Sequence, residues 1–178
     1  YLGAEAGYYI PDRFKEGYGL NTMAVETLAR GGCKLLISVD SGISSGEESK
    51  RAAELGMDVI ITDHHLPGPE LPEVVAIINP KLDNCEANYH LAGAGVAFKL
   101  CQALSQGRIP AEKVLAGLDL VALATVADVV PLTGDNRILV RYGLQKINNT
   151  ANPGLKELIK ACALEGQKLN TWHLAFML

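Results

Sequence analysis

Two short apolar runs, each closing on an aspartate, constrain this chain more than any other feature. Leu35-Leu36-Ile37-Ser38-Val39 leads into Asp40, and Val59-Ile60-Ile61-Thr62 leads into Asp63. Runs this short, with little polar alternation, read as strands that are apolar on both faces. The sequence between them holds one helix. Ser44 or Ser45 is placed to cap it, Glu47 and Glu48 fall in its first turn, and Gly56 stands at its end. Strands separated by single helices form a parallel sheet, because a parallel return needs a crossover.

The rest of the first half extends that pattern. Residues 6–10 read as a short strand before a loop over 11–19, and residues 74–78 as a further strand ended by Asn79-Pro80. Asn21 is placed to cap a helix that carries Val25, Leu28 and Ala29 and stops at Gly31-Gly32. The second half changes character: residues 94–104, 112–127, 136–147 and 155–163 show helical spacing, and Thr171 is placed to cap a last helix. The expected fold is α/β, a parallel β-sheet covered on both faces by helices over residues 1–90, with a mainly helical lobe over 91–178.

Composition sets the class. With 48% hydrophobic and 20% charged residues in 178, the chain folds as a globular domain with a real core. No apolar run reaches membrane-spanning length, and no signal peptide is visible. Cys33, Cys85, Cys101 and Cys162 form no CxxC pair, so they read as reduced thiols of a cytoplasmic protein. The net charge of −4 does not advertise nucleic-acid binding, but a local basic groove is compatible with a negative total. The first residue is Tyr1 and the last are the apolar Leu174-Ala175-Phe176-Met177-Leu178, which reads as a chain cut from a longer protein at both ends.

The candidate chemistry lies at the strand ends. Ligands of open parallel sheets bind beyond the carboxyl ends of the strands. Asp40 ends one strand, and Asp63-His64-His65 ends another. If those strands are neighbours, Asp40 and His64 meet there. A third acid, Asp128, follows the apolar stretch Leu120-Val121-Ala122-Leu123-Ala124-Thr125-Val126-Ala127, and burial in such surroundings demands a partner or a metal. Imidazoles with carboxylates and no thiolate suit manganese, magnesium or iron better than structural zinc. Taken singly, each has a plainer reading: a turn aspartate, a solvated histidine pair, a helix-terminal acid. It is their convergence on one sheet edge that points to a site.

Two further segments suit a phosphate. Ser41-Gly42-Ile43-Ser44-Ser45 opens a helix, so backbone N–H groups there are candidates to hold an anion. Gly93-Ala94-Gly95 opens another with small residues. Ordinary capping and packing explain either one equally well. Arg13, Lys81, Arg137 and Arg141 are candidate sources of positive charge, and His90 and His173 read as surface or structural.

The ordered set of motifs resembles the DHH phosphoesterases. It runs through Val39-Asp40-Ser41-Gly42-Ile43-Ser44, Ile61-Thr62-Asp63-His64-His65 and Asn79-Pro80-Lys81. Gly93-Ala94-Gly95-Val96-Ala97-Phe98-Lys99 and Thr125-Val126-Ala127-Asp128-Val129-Val130-Pro131-Leu132 complete it. Tyr9-Ile10-Pro11, Arg13-Phe14, Glu16-Gly17-Tyr18-Gly19-Leu20 and Arg137-Ile138-Leu139-Val140-Arg141-Tyr142-Gly143 further resemble the RecJ group, bacterial single-stranded-DNA-specific 5′→3′ exonucleases. The resemblance covers essentially the whole chain.

The resemblance implies a two-metal phosphodiesterase using Mn²⁺ or Mg²⁺, acting from the 5′ end and releasing 5′-mononucleotides in DNA repair and recombination. On this match Asp40 bridges the two metals, while His64 and Asp128 ligate one of them. His65 contacts the scissile phosphate or orients the site, and Asp63 supports the histidines. Ser41, Gly42, Ser44, Gly93 and Gly95 remain candidate phosphate contacts. The implied partners are single-stranded DNA, a single-stranded-DNA-binding protein and a helicase. The family's first motif, an Asp-x-Asp-Gly run, and its C-terminal substrate-gripping domain have no counterpart here, so the chain is expected to hold one side of the metal centre. Two alternatives stay open: a relative acting on oligonucleotides, cyclic dinucleotides or pyrophosphate, and a non-catalytic DNA-binding relative.

Overall fold

The computed structural model describes residues 2–82 and 88–178, and divides into two compact units, Tyr1–Cys85 and Glu86–Leu178. Cys85 lies outside the described residues; Cys33, Cys101 and Cys162 are free thiols.

The first unit is the expected parallel sheet. Its strands β1 (Leu35–Val39), β2 (Asp58–Thr62) and β3 (Ala76–Ile78) lie in the order β1-β2-β3, all parallel. Helix α1 (Thr22–Arg30) starts where the Asn21 side chain accepts the Ala24 N–H at 2.8 Å. It ends at Gly31-Gly32, where Gly32 turns the chain at φ 83°, a conformation that favours glycine. Helix α2 (Gly46–Glu54) follows Ser45, whose side chain makes no cap hydrogen bond. Val25 of α1 and Ala52 of α2 join Met57 and pack with Leu36, Val59 and Ile61 on one sheet face, and this is the core of the unit.

Two expectations are corrected. Residues 6–10 form no strand; all are exposed, and they join no ladder of the sheet. The expected burial on both faces fails at β1. Leu36 and Ser38 are buried, whereas Leu35, Ile37 and Val39 are about half exposed. The core helices of this unit all pack on the other face.

Among the described residues the second unit is helical: α3 (Gly93–Ser105), α4 (Ala111–Leu115), α5 (Leu118–Ala127), α6 (Gly134–Ile147), α7 (Pro153–Ala161) and α8 (Thr171–Phe176). The stretch 112–127 is two helices rather than one, because Gly117 becomes the N-cap of α5. Helices α5 and α6 pack so closely that a Cβ on Gly143 would lie 2.3 Å from the Leu118 carbonyl oxygen and from Ala122 Cβ. Ala122, Val126, Val140, Ile147, Leu164, Leu169 and Leu174 form the core. Asn170, not Thr171, caps α8: its side chain accepts the N–H groups of Trp172 and His173, since an amide oxygen reaches both. Among the described residues no helix is long and apolar enough to cross a membrane.

Candidate metal centre

Register brings the first two motifs together. Val39 is the Cα partner of Thr62 in the β1–β2 pair, so Asp40 and Asp63-His64-His65 leave the sheet side by side. The Asp40 N–H still donates to Thr62 O at 2.9 Å. One residue later the chain must turn sharply. Asp40 adopts φ 61° and Gly42 φ 111°, and a Cβ on Gly42 would lie 2.8 Å from Ser38 Oγ and 3.3 Å from the Ile61 side chain. Only glycine fits that close approach over the strand ends. Ser38 Oγ donates to Ser41 O at 2.8 Å, and Thr62 Oγ1 donates to Ser38 O at 2.7 Å, which fastens the turn to both strands.

Asp63 is the scaffold of the histidine loop. It is 1% exposed, and its two oxygens accept four donors. Oδ2 takes the Ile43 N–H at 2.9 Å, while Oδ1 takes the N–H of His64 at 2.7 Å, that of His65 at 3.2 Å, and His65 Nδ1 at 2.6 Å. Burial pushes this carboxyl up, but the donors from Ile43, His65 and His64 outweigh it and hold it below the usual carboxylate range. Donating Nδ1–H to Asp63 leaves Nε2 as the acceptor nitrogen of His65. This carboxylate–imidazole arrangement fixes the tautomer of a ligating histidine.

His64 is 6% exposed, and its Nε2 lies 3.1 Å from Asp40 Oδ1. The His64 and His65 rings are 4.5 Å apart between centroids. Asp40, His64 and His65 each offer a ligand atom, and these atoms lie within 4.8 Å of one another. One carboxylate and two imidazoles at that spacing fit a divalent cation of the manganese or iron type.

In the Ser41–Ser45 segment the Ile43 N–H is committed to Asp63 and the Ser45 N–H to Gly42 O, so two of its backbone donors are already used. Gly93 and Gly95 lie in the first turn of α3 and are buried; a Cβ on Gly95 would lie 3.1 Å from the Leu91 side chain, a packing reason for a small residue. Asp128 belongs to the second unit. The expectation of burial is corrected there: Asp128 is exposed, because the buried residues of α5 end at Val126 and the chain leaves the helix at Asp128, its C-cap. An acid at the negative end of a helix dipole is disfavoured unless a cation compensates it. The next residue, Val129, sits at φ 57°, a strained conformation for a β-branched side chain.

Sequence reasoning underrated Tyr18, Asn79 and Lys81. The Tyr18 hydroxyl donates to Asp40 O, and its ring stands edge-on to His65 at 5.9 Å. Asn79 Nδ2 donates to His65 O at 2.9 Å, and Lys81 Nζ donates to His64 O. The signal for Asn79 was its position at a strand end before proline, where an amide side chain serves backbone groups.

Comparison with known proteins places these motifs. Residues 1–125 match the model of the DHH family, N-terminal domain. The single-stranded-DNA-specific exonuclease RecJ of Bacillus subtilis is 52% identical over 160 residues, which are 89% of this chain and 20% of that protein. RecJ of Escherichia coli is 44% identical over 183 residues, 96% of this chain and 32% of that protein. Among solved structures, exonuclease RecJ bound to manganese superposes with a TM-score of 0.83 at 36% identity, covering 95% of this chain and 42% of that one. RecJ from Thermus thermophilus in complex with Mn²⁺ gives 0.76 at 36% identity, covering 88% and 23%. The chain thus spans between a fifth and a third of the length of these two curated relatives.

Proposed function

Since the chain belongs to the DHH family, we propose that it forms part of a metal-dependent phosphodiesterase that degrades single-stranded DNA from the 5′ end and releases 5′-mononucleotides. The observation that carries this reading is the Asp40–His64–His65 group at the carboxyl end of a parallel sheet, held by the saturated carboxylate of Asp63. Asp40 and His64 hold the cation, Mn²⁺ or Mg²⁺, and Asp128 is a further ligand on the strength of its motif. His65 either completes the ligand set or faces the scissile phosphate. When bound, divalent cations neutralise charge on the phosphate and help activate water. The chain's own residues orient that chemistry: Asp63 fixes the His65 tautomer, and Gly42 lets the Asp40 turn close over the strand ends.

Single-stranded DNA is the substrate on this reading. Its setting is DNA repair and recombination in the cytoplasm, beside a single-stranded-DNA-binding protein and a helicase. The test is degradation of a 5′-labelled single strand by the full-length protein. Hydrolysis requires added Mn²⁺ or Mg²⁺ and is abolished by Asp40→Ala; undiminished activity in excess chelator overturns the reading. Release of nucleotide from dinucleotides but not from long single strands instead selects the short-substrate alternative.

A further inference from the structure

The two site histidines present their side chains from irregular backbone, and irregular backbone needs partners for its carbonyls. The His64 and His65 carbonyls are both bonded by one short segment after β3. Asn79 Nδ2 donates to His65 O at 2.9 Å, and Lys81 Nζ donates to His64 O. Asn79 is 6% exposed, and its other amide atom is also engaged, since Oδ1 accepts the Lys81 N–H at 3.0 Å. Just before them the Asp63 N–H donates to Ile78 O at 3.1 Å. The histidine loop is therefore fastened on one side by the β3 exit and on the other by the carboxylate of Asp63.

These two fastenings act on different atoms. Asp63 grips N–H groups and one ring nitrogen, whereas Asn79 and Lys81 grip carbonyl oxygens. A peptide plane held at both its N–H and its C=O cannot rotate, and the Cα–Cβ direction of each histidine follows from the planes on either side of it. Neither Asn79 nor Lys81 belongs to the group of candidate ligands. Lysine bonded to a backbone carbonyl also differs from a solvated surface lysine, whose ammonium stays hydrated.

We propose that Asn79 and Lys81 are positioning residues that set the aim of the His64 and His65 imidazoles toward the cation, through their backbone carbonyls. The inference rests on the metal-centre reading above. Outer groups that orient ligating histidines typically contribute about 10–100-fold in metal affinity.

The experiment measures Mn²⁺ binding to the full-length protein by calorimetry and electron paramagnetic resonance, for the wild type, Lys81→Met, Lys81→Arg, Asn79→Ala and His64→Ala. Lys81→Met keeps the aliphatic stem and removes the donor. It is expected to weaken Mn²⁺ binding about tenfold with little change in the metal-free melting temperature, and Lys81→Arg to restore most of it. The second measurement uses no metal: carbon-detected ring resonances of His64 and His65 are expected to be single in the wild type and to split or broaden in Lys81→Met and Asn79→Ala. Unchanged Mn²⁺ affinity and unchanged ring resonances in both variants overturn the positioning role. If His64→Ala binds Mn²⁺ as the wild type does, the metal-centre reading fails instead, and the ring resonances still decide whether the clamp orders the histidines.

Discussion

Asp40 follows β1 and Asp63 follows β2, two strands paired through Val39 and Thr62, yet the two carboxylates live in opposite environments. Asp63 is 1% exposed and saturated by donors from Ile43, His64 and His65. Asp40 has a half-exposed side chain, a left-handed backbone at φ 61°, and His64 Nε2 beside it. One strand end is built as scaffold, its buried carboxylate accepting four donors. The other is built as presentation, an acid held out on a constrained turn. A carboxylate that already accepts four bonds makes a poor ligand, so the division of labour between the two follows from their hydrogen bonds.

The largest effect expected from testing that contrast is at Asp63. Asp63→Ala leaves the N–H groups of Ile43, His64 and His65 without their acceptor in a buried place, at about 1–3 kcal/mol for each unsatisfied donor. The expected loss is about 3 kcal/mol or more, a fall of roughly 6–12 °C in melting temperature for a chain of this size. Calorimetric unfolding checks it; a loss under about 0.5 kcal/mol, the size of an ordinary surface change, means Asp63 is no scaffold.

Gly42 comes next. Its φ is 111°, and a Cβ at this position would approach Ser38 Oγ to 2.8 Å, so Gly42→Ala is strained as well as crowded. The expected cost is about 1–3 kcal/mol, with Mn²⁺ binding weakened because the Asp40 turn shifts. Urea unfolding combined with Mn²⁺ titration separates the two effects, and unimpaired binding would show that the turn does not aim Asp40.

Acid provides a gentler probe of the same contrast. A carboxyl whose folded pKa is depressed stabilises the fold above its unfolded value, about 3.9 for aspartate, and that stabilisation disappears as pH falls through the folded value. Asp63 is of this kind. The stability gap between the wild type and Asp63→Asn is therefore full near neutral pH and closes below about pH 4. Urea midpoints taken from pH 7 down to pH 3 read it directly, and a gap that widens in acid reverses the sign and rejects the assignment.

How much of this was legible in the residues follows from which forces are local. The runs 35–39 and 58–62 were readable as strands because apolar runs between helix signals admit few other readings. The pairing of Asp40 with His64 then followed from strand adjacency. Burial was less readable. Asp128 looked buried because its neighbours are apolar, but helix α5 turns its apolar face inward only as far as Val126, and the acid emerges at the cap. Leu35, Ile37 and Val39 looked like core for the same reason, and one face of a strand has no sequence mark that says whether anything lies over it. Asn79 and Lys81 act on backbone carbonyls, and such partners depend on three-dimensional approach alone.

The smallest stability effect is expected at Asp40 itself, and it is the sharpest test of the contrast. Glycine adopts φ 61° freely, so Asp40→Gly relieves backbone strain while deleting the carboxylate. The half-exposed side chain contributes little to the fold, so stability should change by no more than about 1 kcal/mol in either direction. Mn²⁺ affinity should nevertheless fall by more than the roughly 100-fold that bounds an outer positioning group, since a ligand rather than its support is lost. Isothermal titration and urea unfolding on the same preparation give both numbers. A variant that loses stability as Asp63→Ala does, and keeps its affinity for Mn²⁺, would make Asp40 a second scaffold and erase the difference between the two strand ends.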